Sequence, residues 1–346
     1  MCHQGSRMGF LQRVALLMLC FLAAASSHAS APSAPTAQAV IEALTQANGA
    51  VVGVKVTAVS GARSAETLGQ MRSGSGVVIG PDGLILTIGY LMLEADTIQV
   101  VTQDNRTLPA RAVGYDLATG FGLVKTLLPL RGVRPAALGH HASTKPGDMV
   151  MAATGGEDGD VAMTQVVGKR AFSGYWEYHI EAALFTTPPI ANHSGAPLFN
   201  QNGELLGIGS LFVMDAMGEN RRLPGNMFVP VDLLKPILDE MQRTGTSSQS
   251  RRPWLGLTSS EQAGRVQIVR VTKDSPADGA GLQPGDVVLA VDETKVSTLE
   301  EFYKRVWARA NPDDEIRLTL LQGADIRTVM LKGVDRMSTM SKPSGI

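Results

Sequence analysis

One serine in this chain stands where a hydroxyl could act as a nucleophile. Ser194 lies within Asn192-His193-Ser194-Gly195-Ala196-Pro197-Leu198, a turn of glycine, proline and small residues. Such a hydroxyl attacks usefully only when an adjacent base takes its proton and a third group fixes the base's tautomer and orientation. The sequence holds six histidines. His3 and His28 fall in the N-terminal leader. His193 adjoins Ser194, and neighbours on such a turn point apart. His140 and His141 sit in a polar stretch that reads as a solvated connection. His179 ends the aromatic run Tyr175-Trp176-Glu177-Tyr178-His179, which reads as surface or loop. The sequence marks none of them as the base. A metal does not fill the gap: both cysteines, Cys2 and Cys20, lie in the leader, and the adjacent pair His140-His141 lacks the spacing and clustered carboxylates of a zinc site. Gly74-Ser75-Gly76 follows no strand-to-helix pattern, so it is no phosphate loop. Neither metal nor cofactor is expected.

Three stretches resemble the HtrA/DegP-like family of periplasmic serine proteases. Gly74-Ser75-Gly76-Val77-Val78, followed by Leu84-Ile85-Leu86-Thr87-Ile88-Gly89-Tyr90-Leu91-Met92, is similar to the family's G-S-G-V-I and I-L-T-N-N-H-V-V segments, which present the catalytic His; Tyr90 stands at the His position. Asp116-Leu117-Ala118-Thr119-Gly120-Phe121-Gly122-Leu123-Val124-Lys125 is similar to D-x-x-T-D-L-A-V-L-K, whose second Asp orients that His; Gly120 stands at the Asp position. Ala191 to Leu198 is similar to P-G-N-S-G-G-P-L and keeps the serine as Ser194.

The resemblance implies a trypsin-fold scaffold with a degenerate triad, a pseudoprotease. A phenol of pKa about 10 is deprotonated in only about one molecule in a thousand at neutral pH. Gly120 has no side chain with which to orient a base. Loss of the Ser–His unit costs on the order of a millionfold in kcat, which takes about 10 turnovers per second to roughly one per day or slower. Asn192, His193 and Ser194 fall at the family's oxyanion-hole position. Asn192 replaces a glycine there, and since Asn enters left-handed conformations readily, a dented hole is expected. Ser194 is then a small residue packing a tight turn. The alternative is an active serine endopeptidase that uses Ser194 with a non-standard base.

The leader carries Arg7 and Arg13, an apolar run from Val14 to Ala25, and small residues around Ala29. This is the pattern of a cleavable secretory signal, residues 1–29, and it implies export to a periplasm. The alternative, an uncleaved membrane anchor, is disfavoured because the apolar run is short for a bilayer, so no stable membrane span is expected. Removing the leader takes away two Arg and no acid and moves the net charge from −1 to −3. That near-neutrality gives no electrostatic basis for nucleic-acid binding.

Residues 30–48 pass from a Pro/Ala/Ser-rich start into a short amphipathic helix, Thr36 to Leu44. It resembles the segment through which family members form trimers, and a homo-trimer or a hetero-oligomer with active members follows from that likeness. From 49 to 242, short Val/Ile/Leu runs alternate with Gly, Pro, Asp and Asn, the pattern of an all-β protein. Pro81-Asp82-Gly83 and Gln201-Asn202-Gly203 read as hairpin turns, Met149 to Ala153 as the first strand of a second barrel, and Asp232 to Gln242 as a closing helix. Residues 243–252 read as a flexible linker by composition.

Residues 253–335 resemble a PDZ domain, above all through Gly281-Leu282-Gln283-Pro284-Gly285-Asp286-Val287-Val288. Ser297 reads as the N-cap and Glu300 as the partner of a capping box, with Leu299, Phe302, Tyr303 and Val306 recurring at helical spacing; core packing explains that stripe, while the resemblance implies that an edge of this helix faces the peptide groove and makes these four candidate peptide-binding residues. The resemblance implies strand addition of an extended polypeptide C-terminus, with its carboxylate held by the loop Trp254-Leu255-Gly256-Leu257 and drawn by Arg251 or Arg252. Residues 336–346 form a tail. The fold class expected is mainly β: a chymotrypsin-like double β-barrel followed by a small α+β PDZ domain. The function expected is binding of polypeptide C-termini or unfolded segments in envelope protein quality control.

Overall fold

The computed structural model describes residues 36–218 and 221–341, so the expected leader and the end of the expected tail lie outside the described residues. The chain divides into a first unit, residues 1–39, of which only the start of a helix is described, and a second unit, residues 40–346, which holds the rest. The helix, α1, spans Ala37–Asn48.

Six strands form the first closed barrel: β1 (Val51–Ala58), β2 (Met71–Val78), β3 (Leu84–Ile88), β4 (Ala95–Val101), β5 (Thr107–Tyr115) and β6 (Phe121–Thr126). They run in the order β1-β2-β3-β6-β5-β4. In β1 the first four residues are all buried, and alternation begins only at Lys55, which faces water between buried Val54 and Val56, while β3 is buried throughout. Helix α2 (Ala65–Leu68) bridges β1 and β2. A tight turn at Pro81-Asp82-Gly83 joins β2 to β3, with Gly83 N–H donating to the Gly80 carbonyl at 3.1 Å.

The second barrel repeats the plan with β7 (Met149–Ala153), β8 (Val161–Gly174), β9 (Tyr178–Thr187), β10 (Pro197–Phe199), β11 (Leu205–Val213) and β12 (Gly225–Pro230), in the order β10-β11-β12-β9-β8-β7. Phe185, Phe199 and Phe228 are fully buried here, each contributing about 2–3 kcal/mol of hydrophobic stabilisation.

The closing helix is shorter than the sequence pattern implies. A 3-10 turn covers Val231–Leu233, and α3 runs only from Leu238–Thr244. Pro236 separates them, because a proline inside the first full turns would remove a backbone donor. The segment read as a flexible linker is docked instead. The hydroxyls of Ser247 and Ser250 both donate to buried Asp116, and the Arg252 guanidinium lies 3.6 Å above the Trp307 ring and donates to the Leu117 carbonyl. Composition suggested mobility, but its small hydroxyls are what fit against a buried carboxylate.

The last domain is a six-stranded sheet: β13 (Leu257–Gln262), β14 (Arg265–Val271), β15 (Val287–Val291), β16 (Thr294–Lys295), β17 (Glu315–Gln322) and β18 (Asp325–Lys332), in the order β13-β14-β15-β17-β18 with β16 paired to β15. Helix α4 (Pro276–Gly279) and α5 (Leu299–Trp307) cover it. Leu299, Phe302, Tyr303 and Val306 are all buried in the core of this domain, so the stripe expected to contact peptide packs inward against the sheet instead. The cap is one residue later than the sequence suggests. Thr298, extended at φ −123°, accepts from Glu301 N–H, and the Glu301 carboxylate accepts from Ser297 N–H. The hydroxyl that caps is the one in extended conformation directly before the first helical residue.

Candidate functional site

Ser194 is carried by the loop between β9 and β10. Its carbonyl accepts from Ser75 N–H of β2 at 2.8 Å, which ties the loop to the first barrel. Tyr90 comes from the 3-10 turn Gly89–Met92 that follows β3. Arg72 anchors that turn by donating to the carbonyls of Tyr90 (3.3 Å) and Leu93 (2.7 Å). The two ends meet. The Tyr90 phenol oxygen lies 2.7 Å from Ser194 Oγ and 2.9 Å from the Ser210 carbonyl oxygen.

A phenol has one proton and a carbonyl can only accept. With that proton directed to Ser210, the Ser194 hydroxyl donates to the phenol oxygen and keeps its own proton. Burial pushes the Tyr90 phenol up to about 12, against a smaller opposing effect of the Ser194 bond. At neutral pH about one molecule in a hundred thousand would be ionised, fewer than for a free tyrosine. The chain hydroxyl–phenol–carbonyl is closed, and it supplies no base.

Gly120 sits at φ +81° in the turn before β6, where Gly89 N–H donates to its carbonyl at 2.7 Å. The space beside it belongs to Tyr178. A Cβ at position 120 would stand 3.1 Å from the Tyr178 phenol oxygen and 3.6 Å from Ile88 Cδ1. Tyr178 donates to the Thr119 carbonyl at 2.7 Å, and the Trp176 ring stacks on it with centroids 5.7 Å apart. A side chain added there would start in tight contact with the Tyr178 phenol and in a backbone conformation that favours glycine.

The four described histidines are all engaged elsewhere. His193 Nδ1 lies 3.1 Å from the Ala191 carbonyl, and burial outweighs the opposing effect of that bond to leave its pKa below the ordinary value. His140 is exposed, as a solvated connection implies, while His141 is half-buried; each places Nδ1 against Asp232, at 2.8 and 2.6 Å. His179 is neither surface nor loop; it is buried in β9 with Nδ1 2.9 Å from Ser173 Oγ. His179, Glu181 and Glu300 bring ligand atoms within 4.8 Å of one another. The Lys304 ammonium lies 2.7 Å from an oxygen of each carboxylate, so a cation of the protein's own already bridges them.

The oxyanion-hole position also departs from expectation. Asn192 is absent from the described non-glycine residues with positive φ, so the left-handed conformation expected of it is not adopted. A left-handed backbone costs an L-residue energy unless its surroundings impose it, and exposed Asn192 has no such constraint.

The groove of the last domain is built around Glu177, which sequence reasoning missed. Residues 174–177 form the tip of the β8–β9 hairpin. The buried Glu177 carboxylate accepts from three backbone N–H groups: Leu255 at 2.9 Å, Gly256 at 2.8 Å and Leu257 at 2.8 Å. Gly256 has φ +86°, and a Cβ there would meet Ser275 Cβ at 2.2 Å, so only glycine lets the loop close on this anion. Trp254 is partly buried beside them. Arg252 lies over the Trp307 ring and donates to the Leu117 carbonyl, and its charge interacts favourably with the Glu177 carboxylate. A cavity of about 530 Å³ joins the two regions, with Tyr90, Gly120, Tyr178, Trp254 and Trp307 among its walls. The one sequence signal for Glu177 was a lone acid inside an aromatic run.

Two six-stranded barrels with a serine loop between them, followed by a sheet-and-helix module with a glycine carboxylate loop, define a trypsin-fold protein with a PDZ domain. The trypsin-like peptidase domain model matches residues 74–208 and the PDZ domain model residues 253–332. Curated proteins named "Probable periplasmic serine endoprotease DegP-like" are similar: that of Halomonas elongata is 30% identical over 271 residues, covering 74% of this chain and 55% of that protein. That of Hahella chejuensis is 27% identical over 270 residues, covering 73% and 55%. The chain spans about half the length of these relatives. Among solved structures, the HtrA-type protease AlgW with tripeptide superposes with a TM-score of 0.53 at 22% identity, covering 86% of this chain and 96% of that one. The serine endoprotease from Yersinia pestis gives 0.52 at 24% identity, covering 87% and 98%. The chain is HtrA/DegP-like, with a trypsin-like peptidase domain and a C-terminal PDZ domain.

Proposed function

We propose that this protein is an exported HtrA-like pseudoprotease that recognises polypeptide C-termini or unfolded segments through its PDZ domain and acts in envelope protein quality control. The observation that carries the reading is the Tyr90–Ser194 pair: the hydroxyl at the nucleophile position faces a phenol held near pKa 12, and no histidine nitrogen among the described residues bonds to it. Gly120 and Tyr178 add support, since position 120 carries no side chain and the Tyr178 phenol crowds it. The periplasmic setting rests on the leader and on the names of the relatives. No helix among the described residues is long and apolar enough to cross a membrane. The PDZ reading rests on the residues matched and on the backbone donors at Leu255, Gly256 and Leu257, and AlgW carries a tripeptide in its own structure. Association into trimers, alone or with active family members, belongs to the same proposal and is checked by light scattering of the purified chain.

The test uses wild type and Ser194→Ala with a fluorophosphonate probe and casein. The reading expects equal, background-level labelling and no cleavage by either. Casein cleavage by wild type that vanishes in Ser194→Ala would establish the endopeptidase alternative instead.

A further inference from the structure

We propose that Glu177 is an internal ligand of the PDZ groove, so that the hairpin tip at residues 174–177 holds in cis the seat an external C-terminus must take, and binding proceeds by displacing it. The proposal rests on the polypeptide-binding reading above and adds the state in which the groove rests.

Four features of the tip make it a ligand rather than a neighbour. Its carboxylate is met by three successive backbone N–H groups of one loop, the arrangement in which fixed peptide dipoles capture an anion. Its backbone meets the free edge of the sheet at one point: the Tyr175 carbonyl accepts from Ser259 N–H at 2.9 Å, on the side of β13 that no strand of the PDZ sheet covers. Its third anchor is α5, where the Tyr303 hydroxyl donates to the Gly174 carbonyl at 2.7 Å. Its conformation is strained, with Glu177 at φ +58°, and such strain persists where surrounding contacts impose it. Carboxylate, added strand edge and helix wall are the three elements that an extended C-terminus would use, and one segment of the same chain engages all of them.

An internal ligand competes by mass action. If the groove is free in only a fraction of molecules, an external peptide binds with its affinity reduced by that fraction. The arrangement also links the groove to the cleft. Trp176 and Tyr178, beside Gly120, flank Glu177 in the same hairpin, so expelling the carboxylate loosens the aromatic wall of the shared cavity.

The test compares wild type, Glu177→Ala and Glu177→Gln in the full chain. The probe is a fluorescein-labelled decapeptide pool with Leu, Val or Phe at a free C-terminus, set against the same pool C-terminally amidated. Hydrogen exchange at Leu255–Leu257 is read without peptide. The expected result is at least about tenfold tighter binding of the free-acid pool by Glu177→Ala than by wild type, no gain for the amidated pool, and at least about tenfold faster exchange of these amides in the variant. Glu177→Gln is close in shape, lacks the charge, and keeps an amide oxygen that can accept from Gly256 and Leu257 while its NH2 opposes the Leu255 N–H, so it moves both readouts the same way by a smaller amount and serves if the alanine variant does not fold. Equal peptide affinity for wild type and variants overturns the competition while leaving the PDZ reading intact. Amides that exchange as fast in wild type as in the variants overturn the internal ligand directly. Freed amides with no peptide bound by any form overturn the polypeptide-binding reading, and the competition with it.

Discussion

Tyr178 stands against Gly120, with its phenol oxygen 3.1 Å from where a Cβ on that glycine would be and its proton committed to the Thr119 carbonyl. The two positions are far apart in sequence, yet each accounts for the other: a left-handed glycine leaves the space, and a buried tyrosine fills it.

Gly120→Asp is expected to destabilise the protein by about 1–3 kcal/mol, through the φ +81° backbone and the crowding against Tyr178. Thermal melting checks this. The double variant Tyr90→His/Gly120→Asp is expected to stay inert toward casein, because the new carboxylate enters an occupied space. Hydrolysis by the double variant would show that Tyr178 yields easily.

Fluorophosphonate labelling of Ser194 is expected to stay slow and flat between about pH 6 and 9. An imidazole base would give an inflection near pH 6.5, whereas the Tyr90 phenol, held near 12, does not titrate in that range. Tyr90→Phe is expected to cost about 1 kcal/mol of stability from the lost bonds to Ser194 and Ser210, with labelling unchanged.

Acid should remove one identifiable part of the stability. Burial raises the Glu94 carboxyl, but donors from Ser64 (backbone 2.7 Å, hydroxyl 2.6 Å) and Ser341 (backbone 2.8 Å) outweigh it and hold the group near 2, below its ordinary 4.5. A depressed folded pKa stabilises above the unfolded value, and the gain is lost as pH falls from about 4.5 toward 2. Glu94→Gln should cost about 1–3 kcal/mol at pH 7, and its deficit against wild type should shrink across that window in urea titrations.

Asp116→Ala should be among the most damaging single changes, at about 3 kcal/mol. It would leave the hydroxyls of Ser247, Ser250 and Thr119 without their shared acceptor in a buried site. Limited proteolysis of residues 243–252 should accelerate with it, as the docked segment is released.

Much of the fold was legible because local chemistry encodes it. The valine alternation of β1, the glycine turns after Pro81 and Gln201, and the stripe Leu299-Phe302-Tyr303-Val306 each fix periodicity or a turn within a few residues. Legibility stopped where a partner comes from far along the chain. Ser247 and Ser250 look like linker residues until Asp116 is brought beneath them. His141 looks solvated until Asp232 arrives to half-bury it.

The amino-acid order alone determined which groups exist: a serine in a nucleophile-like turn, a tyrosine and a glycine where partners would stand, and a glycine loop suited to an anion. Only the packing of the barrels and sheet decided what those groups face. Hydrogen bonds such as those from Leu255, Gly256 and Leu257 to Glu177 are short-ranged, and they join residues that burial, not local sequence, brings within reach.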